Sequence, residues 1–223
     1  MCKEFLGSSV GRKAVVGVTG FILFGFVVVH TLGNLQIFLG RDPLNAYAYK
    51  LQSLPWLLWP ARVFLLAVLL VHLWISLWLA VENRRARPTP YVFKDTVQAT
   101  LASRTMVMTG LIILLFIVYH LLHFTFGATN PEFFHLTDAK GRHDVYAMVV
   151  LSYRNYWISG TYLLAMFFLC LHLSHGVSSI PQSLGWNDER WDPLFKWAGR
   201  AAALVIFMGN SSMPLAAVVG ILK

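Results

Sequence analysis

Five stretches of this chain carry no charged side chain: Ala14 to Gly40, Val63 to Val81, Thr105 to Pro131, Asn155 to Asn187 and Ala201 to Leu222. Each holds the roughly 20 apolar residues that an α-helix needs to cross a bilayer. Only 13% of the 223 residues are charged and 57% are hydrophobic, against about a quarter charged in an ordinary soluble domain. A soluble globule is excluded. The expected fold is an all-α integral membrane protein with spans over residues 14–39, 57–81, 105–127, 157–180 and 198–220. These spans and their connections use the whole length, so residues 1–223 are read as one membrane domain with water-side chemistry left to a partner subunit.

The net charge of +8 sits at span ends, not on a soluble aromatic-rich face, which makes it a topology signal and excludes a nucleic-acid partner. Eleven Lys and Arg fall on the N-terminal side, among them Arg84, Arg85 and Arg87, and seven on the other. The positive-inside rule therefore puts the N-terminus in the cytoplasm and the C-terminus outside. The first apolar run is too long for a signal-peptide core and is read as a permanent helix. Two cysteines, Cys2 and Cys170, offer neither a disulfide framework nor a thiolate metal site. Residues 128–156 read as the longest loop.

Six of the eight histidines lie inside the apolar spans: His30, His72, His120, His123, His172 and His175. An ionisable residue there marks a functional site by default. His30 is the seventeenth residue of its span, and His72, His120 and His172 are each the sixteenth of theirs. Successive helices alternate in direction, so equal distance from each start gives two levels. His30 and His120 lie towards the outer face, His72 and His172 towards the inner one, about 15 Å apart. Two imidazoles facing each other from different helices are what a six-coordinate haem iron needs. The chain thus reads as binding two haem b groups among its first four helices.

Gly20 and Gly110 each precede a ligand histidine by ten residues, at the inner pair's level, where a missing side chain leaves space for a macrocycle. Arg62, at the depth of His30, suits a haem propionate. His123 and His175 follow ligand histidines by three residues and are read as spare hydrogen-bonding groups; His135 and His143 are read as solvated. No Asp or Glu lies mid-span, which argues against a carboxylate proton relay. Asn210, Ser211, Ser212 and Pro214 predict a kinked fifth helix that packs outside the bundle without a ligand.

The runs VVVHTLGNLQIFLG around His30, LLVHLWISLWL around His72, GLIILLFIVYHLLHF around His120 and LCLHLSHG around His172 together resemble the cytochrome b558 subunit of succinate dehydrogenase. That five-helix dihaem anchor is itself similar to the cytochrome subunit of bacterial fumarate reductases. The resemblance covers nearly the whole chain and implies a multi-pass subunit of the bacterial cytoplasmic membrane. It implies partners too: a flavoprotein subunit that interconverts succinate and fumarate, an iron–sulfur subunit on the cytoplasmic face, and a membrane quinone, menaquinone in the dihaem class. In this resemblance His30 and His120 hold the distal haem iron, and His72 and His172 the proximal one.

The segment GSSVGRK resembles the family's entry to the first helix, which implies that Ser9, Arg12 and Lys13 meet the proximal propionates. Tyr119, His123, Glu132 and Arg154, near the outer level, are candidates for the quinone site. The membrane lipid is a further partner, and the complex admits a higher oligomer. Two other readings use the same histidines: a cytochrome b anchor of another membrane dehydrogenase, and a non-haem di-iron lipid desaturase or hydroxylase. The second needs more histidines per cluster, all near one membrane face.

Overall fold

The computed structural model describes residues 7–86, 99–186 and 188–223. It is all-α, with five helices long and apolar enough to cross a membrane. In chain order, α1 (Ser9–Asn34) runs into a 3-10 turn (Leu35–Leu39), followed by α2 (Arg41–Gln52), α3 (Pro55–Arg85) and the single turn α4 (Leu101–Arg104). Then come α5 (Met106–His120), prolonged by a π turn (Leu121–Thr125), the short α6 (Pro131–Phe134), α7 (Val145–Tyr153), α8 (Tyr156–Ser183) and α9 (Asp192–Val218). Among the described residues no strand forms, and Thr137 and His143 make an isolated bridge.

The helix ends follow local chemistry more closely than the apolar runs do. Helix α1 begins five residues before the expected position 14, because the Ser8 hydroxyl accepts the Gly11 N–H at 3.0 Å and satisfies a free donor of the first turn. Helix α3 starts on Pro55, whose missing N–H costs nothing at that position, and ends on Arg84 and Arg85, whose charges suit a C-terminus. Asn155 caps α8 by accepting from the Trp157 and Ile158 N–H groups. Pro60, Pro181 and Pro214 all lie within helices.

The reading of residues 128–156 as a loop is corrected. Val145–Tyr153 is too short to cross a membrane yet apolar enough to pack beneath the bundle's end, and Asp144 nucleates it by accepting the Ala147 N–H at 3.1 Å. Tyr146, Val150 and Tyr153 are buried there with Ile37, Leu44, Tyr162 and Met213. His143 is likewise only partly exposed, its ring 5.2 Å from that of Phe134, so it is not simply solvated.

The first connection is also helical, and a polar clasp joins it to the third. The Arg41 guanidinium pairs with Asp144, a fully buried side chain that also accepts from Asn45 at 2.9 Å. Asn45 in turn accepts the Tyr146 N–H at 2.9 Å. Arg142 binds Asp138 and Asp42, and Lys140 binds Asp42 at 2.7 Å. The Arg142 side chain holds the Asp138 carboxyl well below the usual carboxylate range. Burial pushes the Asp144 carboxyl up, but hydrogen bonds from Arg41, Asn45 and the Ala147 N–H outweigh it and leave its pKa lowered.

Around the bundle, α1 packs against α3 and α8, α8 against α5, and α3 meets α5 along a thinner seam. Helices α1 and α5 are therefore diagonal, as are α3 and α8. Helix α9 lies outside these four, along α8, as expected of a packing helix. Gly199 permits that approach, since a Cβ there would stand 2.8 Å from the Ser178 nitrogen. Asn210 anchors α9 to α1, donating to the Thr31 hydroxyl at 2.8 Å. Large apolar side chains such as Phe64, Leu70, Trp74 and Trp78 face outwards from α3, a surface suited to lipid and not to water.

Candidate functional site

Each diagonal pair of helices carries a pair of histidines. His30 on α1 and His120 on α5 place their ring centroids 5.8 Å apart with planes at 85°. Two imidazoles on opposite sides of one metal, each nitrogen about 2 Å from it, bring their centroids to about 6 Å. The observed separation is within a few tenths of an ångström of that. His30 stacks on Phe26 at 5.4 Å, one turn earlier in the helix, and is exposed. An exposed imidazole in an apolar span needs a partner other than lipid tails.

The second level is fixed by contacts to His72 and His172. His72 Nδ1 lies 3.0 Å from the Thr19 hydroxyl, and His172 Nδ1 lies 3.1 Å from the Thr109 hydroxyl. The residues that follow, Gly20 and Gly110, face the same rings: an added Cβ would stand 3.4 Å from His72 Cε1 and 3.3 Å from His172 Cε1. Residues 20 and 30 of α1, and 110 and 120 of α5, are separated by ten positions, so the two levels are about 15 Å apart along each helix. The missing side chains of Gly20 and Gly110 leave room for the imidazoles of α3 and α8.

Thr19 and Thr109 escaped the sequence reading. Each stands immediately before its glycine, so the pattern Thr-Gly followed ten positions later by His occurs in both α1 and α5. That repeat was the available signal, and only the packing of α3 on α1 and of α8 on α5 shows what it serves.

Beside His120, the π turn brings His123 inwards, where it is 1% exposed and stacked on Phe124 at 3.9 Å. The Tyr162 hydroxyl of α8 lies 3.3 Å from His120 Nδ1 and 2.9 Å from His123 Nδ1, so one oxygen joins the two rings. His123 Nε2 is buried without a hydrogen-bond partner among the described residues. Tyr119 packs against His123 at 5.6 Å and lines an apolar cleft of about 240 Å³ between α5 and α8, with Phe116, Thr161 and Leu164. Glu132 and Arg154 are exposed, and among the described residues no hydrogen bond links either to Tyr119 or His123. Of the four quinone candidates, ring contact joins Tyr119 and His123, and Glu132 lies within electrostatic range of His123.

The residues expected to meet propionates have other surroundings. Arg12 is buried, donates to both Glu82 oxygens at 2.7 Å and lies over the Trp78 ring at 5.3 Å, so its carboxylate partner here is Glu82. Ser9 and Lys13 are exposed, and the hydroxyl that caps α1 belongs to Ser8. Arg62 is exposed with its guanidinium 5.3 Å from the Trp59 ring centroid. His175 is half-buried one turn beyond His172.

These donor sets fit a haem in the form the residues take: two histidines per level on diagonal helices, three of the four with Nδ1 engaged by a hydroxyl. Among the described residues no three His, Cys, Asp or Glu side chains converge as ligands of one metal ion. No family model matches the chain, and neither a curated protein nor a solved structure matches it.

Proposed function

We propose that the chain is a dihaem cytochrome b subunit that anchors a succinate:quinone oxidoreductase in the bacterial cytoplasmic membrane. The observation that carries this reading is the His30–His120 ring pair on one diagonal of the four-helix bundle, with His72 and His172 on the other diagonal each held by a threonine hydroxyl. His30 and His120 would hold the distal haem b, His72 and His172 the proximal one. Bound there, bis-imidazole haems supply one-electron transfer between an iron–sulfur partner and menaquinone, without an open iron position for substrate.

This chain's own residues hold and orient. Thr19 and Thr109 fix the proximal imidazoles, and Tyr162 fixes the distal one on α5. The apolar outer face of α3 keeps the bundle in lipid, while the Arg12–Glu82 pair ties the start of α1 to the end of α3. Succinate chemistry belongs to the flavoprotein partner. The lack of a three-ligand cluster among the described residues favours haem over the di-iron alternative, which needs several histidines per iron.

Haem extraction as the pyridine haemochrome from the purified complex, with its polypeptides identified in the same sample, tests the reading. Two b haems per chain, together with flavoprotein and iron–sulfur subunits, are expected. His72→Ala and His172→Ala are each expected to remove the same haem and leave the other. An intact preparation without haem would overturn the proposal.

A further inference from the structure

Each threonine hydroxyl beside the N-terminal-side histidines touches three acceptor-capable atoms and has one proton. Thr19 Oγ1 lies 2.8 Å from the Val15 carbonyl, 3.2 Å from that of Val16 and 3.0 Å from His72 Nδ1. Thr109 Oγ1 repeats this, 3.0 Å from the Thr105 carbonyl, 3.1 Å from that of Met106 and 3.1 Å from His172 Nδ1. Carbonyl oxygens only accept. If the hydroxyl proton turned to the imidazole, Oγ1 would face two carbonyl oxygens at these distances with no proton between them. If it points back to the carbonyls, all the contacts are favourable, but then Oγ1 must accept from the ring.

We infer that Thr19 and Thr109 are positioning residues that fix His72 and His172 as the Nδ1–H tautomer, leaving both Nε2 lone pairs for one metal. The glycines complete the device. With no Cβ at Gly20 or Gly110, the Nδ1–Cε1 edge of each ring lies against the neighbouring helix, and the hydroxyl meets it there. Both threonines are buried, Thr109 entirely, so water does not replace the bond. On the other level the Tyr162 oxygen faces two ring nitrogens, and the direction of its proton is not imposed by carbonyls in this way.

This inference rests on the haem reading for its consequence and on geometry alone for the tautomer. An acceptor on Nδ1–H makes an imidazole more basic, which favours the oxidised metal. The Val16 and Met106 carbonyls also lie near these rings, so replacing the threonine removes one acceptor at each Nδ1–H and raises the reduction potential of the metal held by that ring.

The test is a spectroscopic redox titration of the full-length protein in its complex, comparing Thr19→Val and Thr109→Val with Thr19→Ser and Thr109→Ser. The expected result is that both valine variants raise the midpoint potential of the same haem, or lose that haem alone, while the serine variants stay close to the parent. The inference is overturned if that haem keeps its potential in the valine variants, if the two variants affect different haems, or if serine behaves as valine does. Should the intact complex carry no haem, the functional proposal fails, and histidine 15N NMR on the full-length chain still reads the tautomer. Protonation at Nδ1 of His72 and His172 then sustains the inference, and protonation at Nε2 refutes it.

Discussion

Replacing Gly110 in steps measures how closely α5 must approach the His172 ring. An alanine Cβ would stand 3.3 Å from His172 Cε1 and 3.8 Å from Nδ1, so the ring must retreat by a few tenths of an ångström. Gly→Ala within a helix otherwise gains about 0.5–1 kcal/mol, while overpacking costs about 1–3 kcal/mol. The net change for Gly110→Ala is therefore between about zero and about 2.5 kcal/mol unfavourable. Gly25→Ala, in α1 with nothing within 4 Å, isolates the helix gain and serves as control. Gly110→Leu adds a branched side chain where one methyl is already tight, and the ring cannot remain against Thr109. The assay is the reduced-minus-oxidised absorption spectrum of the purified complex, with thermal stability measured on the same samples. Gly110→Ala should retain both haems with one α-band shifted, and Gly110→Leu should lose that haem alone. If Gly110→Leu keeps both haems with unchanged spectra, the glycine is not there to admit His172.

At the other level, Tyr162→Phe removes the oxygen bonded to both His120 and His123; the haem lost or shifted should be the one unaffected by the Gly110 series, as read by the same difference spectra. His123→Ala should leave both haems bound, and complete loss of one would move the ligand from His120 to His123. Asp144→Ala removes the cap of α7, at about 1 kcal/mol, and charge-assisted bonds worth about 1.5–3 kcal/mol, so thermal unfolding in detergent should report a loss of about 2–4 kcal/mol with haem content unchanged. Asp138 and Asp144 hold their folded-state pKa below the free aspartate value of about 3.9. Their contribution to stability is present above that value and is lost as pH falls through the folded-state pKa. Unfolding midpoints should therefore be insensitive to these groups near pH 7 and decline below about pH 4, and a decline beginning near neutrality would refute their role.

The five spans were legible because an uncharged run near membrane length has few other uses. Their ends were less so, since Ser8, Asn155 and Pro55 act through single caps that an apolar count does not register. Helix α7 was missed because Val145–Tyr153 is both too short to span and unannounced until Asp144 is seen buried against Arg41 and Asn45. The histidine levels follow from depth along the chain, which is a property of sequence. What the rings touch is a property of packing, and so Thr19, Thr109 and Tyr162 emerged only when α3, α5 and α8 were placed. Arg12 shows the converse: its position was noted, but its carboxylate partner lay 70 residues away.

The repeated Thr-Gly arrangement occurs in both α1 and α5, its glycine ten positions before a histidine. Helix α1 corresponds to α5 and α3 to α8 in this respect, so His72 and His172 each meet a threonine hydroxyl and a glycine. At the other level that equivalence is broken: His120 meets Tyr162 and the π turn, whereas His30 is stacked on Phe26 and exposed. The two histidine levels drawn from the same four helices are therefore held differently, one by two threonine hydroxyls and the other by a single tyrosine oxygen.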